Sequence, residues 1–134
     1  MSSLLPSLPA AKTPAPSSPT ALPDATARDW LLWLLRRRRR YRVVGRSMLP
    51  LLQPDDEVLV DPTAYRQTPP VEGDLVLIDH PDRPHFRLVK RVRLVLPTGH
   101  CFVLGDNPTE STDSRQFGAV AAKQILGKVV CRFD

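Results

Sequence analysis

The chain has 134 residues, of which 42% are apolar and 25% charged, with 15 prolines and a net charge of +5. This length suits one small domain, and no apolar run reaches the roughly 18–20 residues that cross a bilayer. The two cysteines, Cys101 and Cys131, are too few for a disulfide framework or a zinc site. They read most simply as free thiols of a reducing compartment, with a single bridge as the alternative.

Residues 1–23 hold six prolines, many Ser and Ala, and one charge, Lys12. Such a segment buries too little apolar surface to offset its ordering entropy, so a disordered arm is expected. It lacks the basic start and sustained apolar core of a secretory signal. Asp24 is placed to cap a helix from Ala25, and residues 24–40 are expected to form a short Trp/Leu/Arg helix. It would carry Trp30 to Leu35 and end in Arg36 to Arg40, whose charge suits the negative end of a helix dipole. Two readings stand for this segment. One is peripheral contact of Trp30 to Arg40 with an anionic membrane; the other is a docking helix followed by a solvated charge run. No aromatic stacking platform or known binding motif accompanies the arginines, so no nucleic acid partner is expected.

From residue 41 to 134 the chain reads as short strands: 41–44, 57–61, 74–80, 86–96, 100–104 and 125–133. They are rich in Val, Leu, Ile and Phe and punctuated by Pro, Gly, Asp and Asn. The pattern predicts a compact, mostly β domain, a barrel or folded sheet.

Within 86–96, alternation puts Phe86, Leu88, Lys90, Val92, Leu94 and Leu96 on one face and three arginines, Arg87, Arg91 and Arg93, on the other. Lys90 is the one polar residue on the apolar face. Desolvation there lowers an ammonium pKa, and a lysine neutral near physiological pH is a general base. The competing reading is an edge lysine that snorkels to water. Ser47 is the best partner for such a base. It follows a short apolar strand and Gly45 and precedes Pro50, in a turn whose free N–H groups can form an oxyanion hole.

Five segments in order resemble type I signal peptidases. Ser47-Met48-Leu49-Pro50 resembles the nucleophile box, and residues 72–78 the Gly-Asp strand that follows it. Lys90-Arg91-Val92 resembles the lysine box. Residues 105–118, Gly-Asp-Asn-Pro-Thr-Glu-Ser-Thr-Asp-Ser-Arg-Gln-Phe-Gly, resemble the last box, and Ile125 to Val129 the Ile-x-Gly-Lys-Val tail. The resemblance covers roughly residues 42–130. It implies a compact signal-peptidase/LexA-like catalytic β fold and a serine endopeptidase. Ser47 would be the nucleophile, Lys90 the base and Ser111 the serine that orients the lysine. Asp113 and Arg115 would be a structural charged pair, with Ser114 between them. Met48 would line the pocket for a small substrate residue, and Gly105, Asp106 and Asn107 would shape the turn that carries Ser111.

Departures from the pattern narrow the reading. Gly45 stands where many relatives place an oxyanion-donating serine, so the hole would rely on backbone N–H groups. The Gly-x-Pro-Gly-Asp segment after the lysine box is missing, and the short path from Lys90 to Gly105 leaves no room for the large inserted second domain. The minimal form, the basic run before Ser47 and the wording of the last box are similar to nickel-type superoxide dismutase maturation proteases. That resemblance implies a cytoplasmic enzyme acting on the precursor of that dismutase. The alternatives are a signal peptidase acting on exported preproteins and a self-cleaving LexA-type regulator, the latter lacking here a DNA-binding unit and an Ala-Gly site. No cofactor and no metal are expected, since His80, His85 and His100 fit no ligand spacing. Lys12, Lys123 and Lys128 are the rival bases, and their surroundings suggest exposure.

Overall fold

Six strands of the computed structural model, which describes residues 22–133, form one antiparallel sheet. They are β1 (Arg39–Arg42), β2 (Glu57–Asp61), β3 (Leu75–Asp79), β4 (Arg87–Val95), β5 (Cys101–Leu104) and β6 (Ile125–Arg132), in spatial order β1-β2-β6-β3-β4-β5. Among the described residues two short α-helices accompany them, α1 (Ala27–Leu34) and the single turn α2 (Ser114–Phe117). The domain is mostly β, as its short Val- and Leu-rich runs predict.

The apolar run of β3 is buried on both faces, which explains why it does not alternate with polar residues. Leu75 and Leu77 join one core with Met48, Leu52, Val58 and Val89. Val76 and Ile78 join a second with Val92, Cys101, Val103 and Val120. The sheet curls on itself: Tyr41 Oη of β1 donates to the Arg87 carbonyl of β4 at 2.9 Å, although these strands are not neighbours in the sheet.

The N-terminal segment departs from expectation. Thr26, not Asp24, caps α1, in a capping box with Asp29. Asp24 instead bridges Arg132 of β6. The helix stops at Leu34, Arg36 turns the chain with a φ of +63°, and the last arginines of the run enter β1. Tertiary pairing overrides the helical reading: Arg39 to Arg42 pair with Val60 to Glu57, and Arg40 and Arg42 both bind the Glu57 carboxylate. The strand expected at 41–44 therefore lies two residues earlier. Most of the proline-rich arm lies outside the described residues, but its last two do not: Leu22 is buried in the first core and the Pro23 carbonyl accepts the Arg132 N–H at 2.8 Å. Trp30 and Trp33 of α1 pack on Phe133, with ring centroids 4.4 and 5.1 Å away.

Both cysteines are free and buried, in different clusters. Among the described residues no group of His, Cys, Asp and Glu is arranged to hold a metal ion. His80 packs between the tilted rings of Phe86 and Phe117.

Candidate active site

The loop after β1 is pinned before Ser47 and behind it. Val43 is buried and its N–H reaches the Asp56 carbonyl, while Met48 is 1% exposed in the first core and its carbonyl accepts the Leu52 N–H. Between these anchors the chain crosses Gly45 at a φ of +82°, a left-handed conformation that favours glycine. The position that could have carried a serine donor is thus committed to a turn. Ser47 sits half-buried, and neither its N–H nor its hydroxyl bonds any described residue. The Ser47 carbonyl accepts the Asn107 N–H at 2.7 Å, and Asn107 Nδ2 donates to the Arg46 carbonyl at 3.1 Å. Arg46 and Glu110 add an ion pair across the same junction at 3.1 Å. Asn107 and Glu110 therefore fasten the Ser47 loop to the segment that follows β5.

That segment is organised around Asp113, which is fully buried. Its carboxylate accepts from Gly105 N at 2.9 Å, Ser111 Oγ at 2.6 Å and Arg115 Nε and Nη2 at 2.9 Å, and it caps α2 through Arg115 N. Burial alone would raise its pKa. The hydrogen bonds from Arg115, Ser111 and Gly105 more than outweigh that and hold it well below the usual carboxylate range. Ser114 accepts the Val103 N–H at 2.8 Å, tying α2 to β5.

Lys90 lies on the face of β4 that joins the second core, opposite Val76. It is 1% exposed, so it does not snorkel. Its Nζ donates to Ser111 Oγ at 3.1 Å. Burial pushes its pKa down to about 8; Asp113 opposes that shift and Arg115 adds to it. Ser111 gives its own proton to the ionised Asp113, so toward Lys90 it acts as an acceptor. One Lys90 N–H is thereby fixed, and in the neutral amine the lone pair is left to face elsewhere.

Gly105 makes the junction between the two halves. A Cβ there would collide with the Ser111 side chain and lie 2.6 Å from the Ser47 carbonyl oxygen. Ser111 Oγ and the Ser47 backbone are therefore held against the same point, while the Ser47 hydroxyl makes no direct hydrogen bond to Lys90. Catalytic hydrogen bonds often close only around substrate. Gly105→Ala is expected to lower kcat/KM by about 100-fold and to cost about 1–3 kcal/mol of stability, as overpacking does. Steady-state kinetics and denaturant midpoints on the variant would check both.

The structure brings Ser47, Lys90, Ser111, Asp113 and Arg115 to one region through Gly105 and Asn107. Met48 faces the core, as the floor beneath the loop. Asp106 turns the other way and forms a two-bond ion pair with Arg91 at 2.8 and 2.9 Å. Arg91 also reaches the Gly73 carbonyl, so it is half-buried rather than solvated as strand alternation predicts. The alternation itself fails past Val92, where a bulge turns Leu94 out to 53% exposure. Sequence reasoning missed the Arg46–Glu110 pair; the complementary charges in the nucleophile and last boxes were the available signal. Lys123 is exposed, and Lys128 is engaged 3.7 Å from Asp74. Lys12 lies outside the described residues.

Comparison with known proteins shows which family the sequence matches. The sequence profile of a family described as signal peptidase, peptidase S26 matches residues 31–95 and 93–133. The chain is 34% identical to mitochondrial ATP-independent inner membrane protease subunit 1b of Arabidopsis thaliana, over 66% of this chain and 65% of the relative. It is 35% identical to mitochondrial inner membrane protease subunit 2 of Mus musculus, over 60% of this chain and 58% of the relative. A shorter stretch, 28% of this chain and 21% of the relative, is 55% identical to signal peptidase I of Bacillus caldolyticus. The chain thus spans less than two thirds of the length of these relatives. With the profile matching nearly all of the sheet and the region around Ser47 and Lys90, the chain belongs to the S26 signal peptidase family.

Proposed function

We propose that this chain is a serine endopeptidase that removes an N-terminal leader from a precursor protein, with Ser47 as nucleophile and Lys90 as general base. The observation that carries the reading is a fully buried lysine with a pKa near 8, hydrogen-bonded to Ser111 beside the Ser47 loop. In the neutral amine, Lys90 takes the Ser47 proton as Ser47 Oγ attacks the scissile carbonyl. The oxyanion that forms is met by backbone N–H groups, among them the unengaged N–H of Ser47. Lys90 then returns the proton to the leaving amine, and activates the water that frees the acyl group. Ser111 and Asp113 act through Lys90: they fix where its protons point.

An extended leader would add to an open sheet edge. The edge of β5 is taken, because Cys101 pairs with Val120 and the Val103 N–H goes to Ser114. The outer edge of β1 has no backbone partner among the described residues, and β1 runs directly into the Ser47 loop past Val44, which is 71% exposed. We assign the leader to that edge.

For the substrate, the form of the last box and the basic run before Ser47 favour the nickel superoxide dismutase precursor, encountered in the cytoplasm. No described helix is long and apolar enough to cross a membrane. The named relatives favour a second reading, processing of precursors at a membrane. Purified protein would be mixed with the dismutase precursor and, separately, with a secretory preprotein, and new N-termini mapped by mass spectrometry. Clean removal of the dismutase leader, lost in Ser47→Ala, is the expected result. Cleavage of the preprotein alone would replace the substrate and leave the chemistry standing, whereas no cleavage of either would sink the substrate reading altogether.

A further inference from the structure

Helix α1 is apolar on two sides. Its inner side places Trp30 and Trp33 on Phe133. Its outer side carries Leu31 and Leu34, continued by Leu35, at i, i+3 and i+4, and these are 54%, 70% and 58% exposed. An apolar helix face normally packs against other residues, and no described residue covers this stripe. Contiguous exposed leucines of this kind mark a contact surface.

Beside the stripe runs a groove of about 910 Å³ between the end of α1 and the loop after β2, lined by Arg28, Arg36, Arg37, Arg39 and Arg66. None of these five has a carboxylate within ion-pair distance among the described residues, whereas Arg38, Arg40 and Arg42 are paired with Asp61 and Glu57. Arg38 also lines the groove, and its Nε–H is buried without an acceptor among the described residues. A phosphate oxygen is an acceptor of the kind that donor lacks.

We propose that the Leu31–Leu34–Leu35 stripe and the adjoining arginine groove form one docking surface for an anionic membrane. The leucines enter the headgroup–acyl boundary while the unpaired arginines take lipid phosphates. A nucleic acid would use the arginines but has no use for three exposed leucines, and Trp33, the ring nearest the basic run, is already packed against Phe133. The surface meets the β1 edge assigned to the leader at Arg39, but neither Ser47 nor Lys90 lines it, and it does not depend on the chemistry there.

The test is vesicle flotation of the full chain with phosphatidylcholine alone and with equal parts phosphatidylcholine and phosphatidylglycerol, at low and high salt. Wild-type protein should float only with the anionic vesicles and be released by salt. A Leu31→Ser/Leu34→Ser/Leu35→Ser variant should bind more than about tenfold more weakly, since three exposed leucines lose their burial. Arg36→Ser/Arg37→Ser should lose about fivefold for each arginine, the factor that about 1 kcal/mol represents. An unchanged thermal midpoint would show that both variants fold. The proposal is overturned if wild-type protein ignores anionic vesicles, or if the leucine variant binds them undiminished. Release by inorganic phosphate at unchanged ionic strength would show a small-anion site instead. Tighter binding to a single-stranded oligonucleotide than to vesicles would show a nucleic acid surface. Self-association lost in the leucine variant, without vesicle binding, would show that a second copy covers the stripe.

Discussion

Lys90→Met is expected to abolish peptide-bond cleavage, by at least about 10⁴-fold, while making the protein more stable at neutral pH. The two effects have one cause. Lys90 is 1% exposed on a sheet face otherwise built of apolar residues, so its ammonium is desolvated, and its pKa falls to about 8. A methionine of similar length fills that site without a charge. Ser47→Ala should be as damaging to turnover, because residues acting as a unit fail together.

The pH dependence follows from the same shift. The base is the neutral amine, so cleavage should rise with pH and level off above about 8. A rate still climbing at about pH 10, the range of an ordinary lysine, would refute a desolvated base. For stability, the folded pKa lies below the unfolded value of about 10.4, so the unfolded chain holds more protons between these two values. The penalty from Lys90 is therefore full below about 8 and fades as pH rises toward 10.4. Wild-type protein should be less stable than Lys90→Met by roughly 3 kcal/mol at pH 7, and denaturant midpoints should converge toward pH 10.

Asp113→Asn should lower the rate by about 10²–10³-fold while moving the ascending limb of the pH profile to lower pH. Asp113 is the residue that raises the Lys90 pKa against burial, so its charge cannot be removed without the limb shifting down. The rate falls for a different reason. An amide meets Ser111 with one oxygen at most, shared with Arg115 and Gly105, and Ser111 becomes free to turn its proton on the Lys90 lone pair. A role confined to folding would lower the rate without moving the profile. The variant should also lose stability, by less than the roughly 3–5 kcal/mol of a fully buried pair, because Arg115 is 38% exposed. Because the Asp113 pKa is depressed, its contribution is complete above about pH 4 and is lost as pH falls below that. The difference between wild type and Asp113→Asn should accordingly narrow in acid. Ser111→Ala should fall between wild type and Lys90→Met in rate, since the base survives but one of its N–H bonds is no longer held.

Strand content and the odd position of Lys90 were legible in the sequence because both rest on local periodicity. A period of two along residues 86–92 puts a lysine among apolar neighbours whatever the rest of the chain does, and β2, β3, β5 and β6 form within two residues of their Val- and Leu-rich runs at each end. The boxes around Ser47, Lys90 and Ser111 were legible too, as ordered motifs. What the sequence did not decide is which polar groups meet. Arg91 reads as a solvated arginine until the chain reversal after β5 delivers Asp106 to it, fifteen residues away. Arg36 to Arg40 read as a helix end, because propensity is local, whereas pairing with Val60 to Glu57 is contributed by residues some twenty positions downstream. Leu94 follows the alternation until a bulge, set by the partner strand β5, reverses it. Whether Lys90 snorkels to water or stays buried was likewise settled outside its own strand. It depends on Ser111 and Asp113 being folded over it by the Gly105 turn, a contact made only in tertiary structure because it needs a backbone with no Cβ at that crossing.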